Sequence, residues 1–194
     1  TPTPSSAASD VYKRQEYNAI DNSDAVQKSA LFYFLNKCNH GGGYRESAQS
    51  GYNLPFGWNS SLHLDSIEHW KYIAGLIKDV HFSASDFKDV LIKPTQADFA
   101  YIDPPYMPTK KTDFVSYQKS GFNGNQHQAL FASIQDISQK GCFVLMSNSN
   151  MGPVVNSFTN CKITQVDAKR AITVNDPGAK TKEVLVQNYN VSES

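Results

Sequence analysis

The stretch FAYIDPPYMP, Phe99 to Pro108, decides how the rest of this chain is read. Its aromatic and branched start, Phe99 to Ile102, has the composition of a buried strand. The run stops at Asp103, and Pro104 and Pro105 then remove two backbone donors in succession, so the segment is not built to go on pairing. In an open α/β sheet, ligands bind outside the carboxyl ends of the strands, which is where Asp103 to Tyr106 would sit. Two ring-fixed prolines hold the Asp103 carboxylate and the Pro104 carbonyl as two preset acceptors, and Tyr106 offers a flat face beside them. An exocyclic amino group on an aromatic ring fits such a set, because it presents two in-plane N–H donors and a surface that stacks. Accepting those hydrogens draws the amine lone pair out of conjugation and holds the nitrogen in line with a methyl donor. The pattern therefore points to methyl transfer onto an amino group, with no metal required.

Outward from the corner, the pattern alternates. VHFSA (80–84) reads as a short strand, NQHQALFASIQDISQK (125–140) as a helix and GCFVLMSN (141–148) as a buried strand, while KITQVDA (162–168) and EVLVQNY (183–189) read as a final pair. Strands alternating with helices predict a layered α/β domain with a largely parallel sheet, closed by an antiparallel hairpin at one edge. Upstream, Val26, Ala30, Leu31, Phe34 and Leu35 recur at helical spacing behind the capping residues Asn22 and Ser23. The glycine-rich stretch 39–58 comes next as an irregular, hairpin-like excursion. Ile67, Trp70, Ala74 and Ile77 then mark a second helix with one buried stripe. Residues 1–10 have the composition of a tail.

The chain has 194 residues, 40% of them hydrophobic, and 18 basic residues balance 18 acidic ones. That composition suits a globular domain and lacks the excess charge of a strongly basic nucleic-acid binder. Basic residues do cluster at Lys110 and Lys111, at Lys169 and Arg170, and at Lys180 and Lys182, where a phosphate backbone could be reached or where they are simply solvated. Three cysteines without ligand spacing predict reduced thiols and no zinc site. The five histidines lie in no catalytic spacing. No segment is long and apolar enough to span a membrane, and a cytoplasmic, monomeric protein is expected.

DPPY after a strand is similar to the motif of amino-directed DNA methyltransferases, and three further stretches resemble the Dam-type DNA adenine methyltransferases. They are ALFYFLNK (30–37), YRESAQSGYNLPFG (44–57), and FVSYQKSGFNGNQHQALF (114–131) followed by VLMSNSN (144–150). They occur in the family's order, and the resemblance covers residues 14 to 190. It implies the C-terminal part of a Rossmann-like S-adenosylmethionine-dependent methyltransferase fold, with an inserted target-recognition region, mainly helix and hairpin, ahead of the motif in the alpha arrangement. The divisions it implies are a disordered or artefactual tail over 1–15, recognition over 16–78 and catalysis over 79–190. The activity implied is methyl transfer from S-adenosylmethionine to N6 of an adenine flipped out of duplex DNA, in a restriction-modification, phage or solitary enzyme.

Carried over by position, the resemblance makes Asp103, Pro104 and Tyr106 the adenine clamp, with Pro105 shaping the loop and Asp103 also facing the cofactor. Asp86 and Phe87 match a motif beside the cofactor adenine, although Asp86 reads equally well as a helix N-cap. Arg45 matches a base-contacting arginine, the commonest reader of guanine, against the alternative of a solvated charge. Asn53, Pro55 and Phe56 are expected to shape that hairpin. Ser120 and Phe122 are placed near the flipped base, with Ser147 to Asn150 ending a strand beside it.

The match also has departures. No glycine-rich loop follows a first strand, since Gly41 to Gly43 follow a helix, so the chain is expected to begin midway through the catalytic domain, with an exposed sheet edge and poor solubility. His40 to Gly43 replace the Tyr-Asn-Gly-Leu of GATC-methylating enzymes, which leaves the target sequence open. Amino methylation of cytosine or RNA, and a non-catalytic DNA-binding remnant, are the competing readings.

Overall fold

A computed structural model describes residues 6–21, 23–39, 42–47, 49–57, 64–108, 122–169 and 180–190. The chain falls into two compact units, Thr1–His81 and Phe82–Ser194.

In the first unit, helix α1 spans Ser6–Ala19, which corrects the expectation of disorder over the described residues 6–15. Contacts that composition hides order it. Tyr17 is buried with its ring 5.6 Å from Tyr52 and 6.3 Å from Phe32, and Asp10 is buried with its carboxylate 2.8 Å from Arg14 one turn on. Helix α2, Ala25–Cys38, is capped by Asp24, whose side chain accepts from the Gln27 amide, rather than by Asn22 or Ser23. It buries Leu31, Leu35 and Cys38.

Strands β1 (Glu46–Ser47) and β2 (Gly51–Tyr52) pair antiparallel as a small hairpin. Asn18 staples this hairpin to α1. Its side-chain amide donates to the carbonyls of Ser50 (3.0 Å) and Tyr52 (3.2 Å), and its oxygen accepts from the Tyr52 amide (2.8 Å). The approach requires glycine at 51, where φ is +58° and a Cβ would come within 2.5 Å of Asn18 Oδ1.

Helix α3, Ile67–Leu76, starts at a Ser66 cap, but its apolar stripe is not buried as predicted. Ile67 is 69%, Trp70 45% and Ile77 42% exposed. The unit's core consists of Tyr17, Leu31, Leu35 and Tyr52, and α3 meets α2 at an edge contact, Tyr33 against Trp70 at 4.9 Å.

The second unit comprises α4 (Phe87–Leu91), β3 (Phe99–Ile102), α5 (Gly124–Gln139), β4 (Phe143–Ser149), α6 (Gly152–Ser157), β5 (Lys162–Lys169) and β6 (Lys180–Gln187). The four strands order as β3-β4-β6-β5. Only β3 and β4 run parallel, so the largely parallel sheet predicted from the alternation is a mixed sheet among the described residues. The reason is the β5–β6 hairpin, which turns back and inserts β6 between β4 and β5. Residues 80–84, predicted to be a strand, are irregular.

A reciprocal cap between Asn123 and Gln126 starts α5, whose inner face of Leu130, Phe131, Ile134 and Ile137 packs in one cluster with Val144 and Met146 of β4. β3 lies at the sheet edge, and this corrects its reading as a buried strand: Phe99 and Tyr101 are each 58% exposed. The edge pairing also positions the Asp103–Tyr106 corner, because the parallel register of Ile102 with Met146 brings the end of β3 beside the end of β4.

Candidate active site

Asp103 to Pro108 leave the end of β3 without regular structure, and Pro104 and Pro105 have no amide hydrogen with which to anchor the corner. Its anchors come from neighbouring elements. The Ser147 hydroxyl on β4 donates to Asp103 Oδ1 at 2.8 Å, and because its one proton is used there, the Tyr101 hydroxyl at 3.3 Å donates to Ser147 in turn. The Met107 amide donates to Asn148 Oδ1 (3.1 Å), and the Ser149 hydroxyl donates to the Met107 carbonyl (2.6 Å). The Tyr106 hydroxyl donates to Glu183 Oε2 on β6 at 3.3 Å. His127, buried in the first turn of α5, places Nε2 3.0 Å from the Pro105 carbonyl.

Two acceptors are left uncommitted. Among the described residues, no donor reaches Asp103 Oδ2 or the Pro104 carbonyl. Beside them, Tyr106 is half-buried, and burial, reinforced by the charges of Glu183 and Asp103, pushes its phenol above the usual tyrosine range, so it stays a neutral stacking surface and donor. The corner also forms one lip of a cleft of about 360 Å³ lined by Phe87, Tyr101, Asp103, Pro104, Phe122 and Leu130. A larger hollow of about 480 Å³ lies between Gln135, Ser157, Cys161 and Asn188, but no charged group lines it.

The remaining predicted residues are spread over both units. Asp86 is the N-cap of α4 and accepts from the Lys88 amide at 2.9 Å, while Phe87 faces the cleft. Phe122 stands edge-on to Phe87 at 5.8 Å in the cleft wall. In the first unit, the exposed Arg45 is gripped across the hairpin by Asn53. Its Nε donates to the Asn53 side-chain oxygen at 2.6 Å, and a terminal guanidinium nitrogen donates to the Asn53 carbonyl at 3.0 Å. Pro55 is exposed, and Phe56 bridges to Asn39 at the end of α2. Ser120, His40, Lys110, Lys111 and Arg170 lie outside the described residues, and Lys182 is exposed opposite Asp167 in the β5–β6 ladder.

Sequence patterns did not single out Glu183 or His127, although the strand end Ser147 to Asn150 was marked. The one available signal was polarity at the end of an apolar strand, since Ser147, Asn148 and Ser149 are all buried.

A family model described as D12 class N6 adenine-specific DNA methyltransferase matches residues 8–172. The chain belongs to that family. Among similar proteins, the type II methyltransferase M.MjaIII of Methanocaldococcus jannaschii is 32% identical over 183 residues, covering 91% of this chain and 63% of that protein. The DNA adenine methylase of Escherichia coli K12 is 24% identical over 177 residues, covering 91% and 63%. M1.LlaDCHI, a type II methyltransferase of Lactococcus lactis subsp. cremoris, is 25% identical over 174 residues, covering 88% and 61%. The chain thus spans a little over three fifths of the length of the curated relatives it matches. The D12-class match starts within the segment first read as a tail, in line with the helix found there.

Proposed function

We propose that this chain carries the adenine-binding corner of a DNA adenine methyltransferase and moves a methyl group onto N6 of an adenine flipped out of duplex DNA. The observation that carries the reading is the unused acceptor pair, Asp103 Oδ2 and the Pro104 carbonyl, beside a half-buried tyrosine. With Oδ1 occupied by Ser147, the carboxylate is oriented before any substrate arrives. The two N–H groups of an adenine amine would meet the two acceptors while the base stacks on Tyr106. Flipping costs a few kcal/mol, which stacking and these hydrogen bonds offset. As the nitrogen gains the methyl group it gives up one proton, and among the described residues of the corner the carboxylate of Asp103 is the base that would take it.

The cleft beside the corner fits S-adenosylmethionine as the donor. Phe87 and Phe122 supply flat apolar walls for an adenine ring, and Asp103 stands at the lip where a cationic sulfonium is favoured. When bound, that cofactor supplies an activated methyl on sulfur. The mixed sheet suits a Rossmann-like methyltransferase fold, with Arg45, gripped by Asn53, as the reader of a guanine edge within an inserted recognition region. A single copy would act on a duplex, and one sedimenting species would agree with that.

The test is incubation of the chain with radiolabelled S-adenosylmethionine and duplex DNA free of methylated adenine, followed by mass analysis of the nucleosides. N6-methyldeoxyadenosine is expected. N4-methyldeoxycytidine, or no methylated base, overturns the proposal.

A further inference from the structure

We infer that His127 is a positioning residue that sets the direction of the Pro104 carbonyl by holding the carbonyl of Pro105; this rests on the methyl-transfer reading above. His127 is 1% exposed, and its Nε2 lies 3.0 Å from the Pro105 oxygen. Both ring nitrogens face carbonyls, which only accept, so a neutral ring donates at one of them, and the shorter contact assigns the hydrogen to Nε2. The other ring nitrogen, Nδ1, lies 3.2 Å from the Asn123 carbonyl at the cap of α5.

Neighbouring rings fix the plane of the imidazole. Phe122 stands edge-on at 4.8 Å and Phe131 at 5.9 Å. Its backbone amide also donates to Asn123 at 3.0 Å, so the ring projects from a capped helix turn rather than from a loop. A donor held this firmly is what the corner lacks of its own. Proline fixes φ at 104 and 105 but leaves ψ free to rotate each carbonyl. Downstream, the Met107 amide is pinned by Asn148. Pinning the Pro105 oxygen fixes ψ at 105, and because the ring already fixes φ there, the preceding peptide is held too, and with it the aim of the Pro104 carbonyl at the amine. The same ring touches Phe122, so the corner and the cleft wall share one support.

Isosteres separate this role from mere filling of the core. Gln places its amide nitrogen where Nε2 stands, Asn places its own nearer Nδ1, and Leu offers no donor. With duplex DNA and radiolabelled S-adenosylmethionine, His127→Gln should keep kcat within about 3-fold, while His127→Asn and His127→Leu should lose about 10- to 100-fold in kcat with KM for DNA unchanged. Nitrogen-15 NMR of the histidine rings reads the bond without any turnover, and His127 should carry its proton on Nε2.

Equal losses for Gln and Asn, a loss confined to KM, or losses that follow the fall in melting temperature would overturn the positioning role. A bare Nε2 would overturn it as well, whatever the activity. If instead the unsubstituted chain transfers no methyl group while Nε2 is protonated, the methyl-transfer reading fails and takes this role with it, although the contact stands.

Discussion

In Phe82–Ser194 the Asp103–Tyr106 corner is supported by a sheet whose central residues Val144, Met146, Val184 and Val186 are each at most 2% exposed, with Ile137 of α5 fully buried against them. In Thr1–His81 the predicted DNA reader, Arg45, immediately precedes a hairpin of two-residue strands, in a unit whose core is Tyr17, Leu31, Leu35 and Tyr52. The first arrangement positions polar groups on strand ends and a helix turn. The second relies on polar staples, Asn18 into the hairpin and Asn53 onto Arg45. Chemistry at an amine needs acceptors held to a fraction of an ångström, which close packing provides. Reading a base edge tolerates adjustment, and hydrogen-bonded loops on a small core supply it.

The largest effect that sharpens this contrast is expected at the corner itself. Asp103→Ala should lower methyl transfer by roughly 10²- to 10³-fold while leaving DNA affinity near that of the unsubstituted chain. Comparable losses in kcat from Arg45→Ala would break the contrast, since the recognition residue would then be acting on the chemistry.

Stability comes next. Ile137→Ala and Leu35→Ala each remove a fully buried side chain and should each cost about 2–5 kcal/mol. Both tryptophans, Trp58 and Trp70, lie in the first unit. In a urea titration, Leu35→Ala should therefore shift the tryptophan fluorescence transition, and Ile137→Ala should shift the circular dichroism transition more than the fluorescence one. Identical shifts by both probes would mean that the units unfold as one.

Discrimination at a single base pair is the third effect. Arg45→Ala should lose about 1–3 kcal/mol of preference for its target over a one-base variant, measured by competition binding at fixed salt. A uniform loss across sequences, with a salt slope smaller by about one, would make Arg45 a phosphate contact instead.

The smallest effect is one of pH. Desolvation raises the Asp10 carboxyl above its ordinary 3.8, outweighing the attraction of Arg14, so the folded state takes up this proton before the unfolded chain does. Its contribution to stability is present at low pH and is lost as pH rises from 3.8 through the raised value. Asp10→Asn should remove that part of the pH dependence. The variant should gain melting temperature relative to the parent at pH 7 and little at pH 4, and an equal change at both would show that the carboxylate is not desolvated as described.

The short-range parts of this molecule were legible in the sequence. Helical spacing placed α2 and α5, and the alternation of apolar runs placed β3, β4 and the β5–β6 pair, because those patterns arise from local periodicity. The corner Asp103–Tyr106 was legible for the same reason: prolines and a carboxylate after a strand restrict their own backbone whatever surrounds them. Tertiary structure alone decided the rest. Whether FAYI was buried depended on its place at a sheet edge, and whether the stripe of α3 was buried depended on a partner surface, neither of which is a property of the segment itself. The tail became a helix through Tyr17 and Asn18 meeting residues more than a dozen positions away. His127 and Glu183 reach one loop from two different elements, and contacts so distant in sequence leave no local pattern to read.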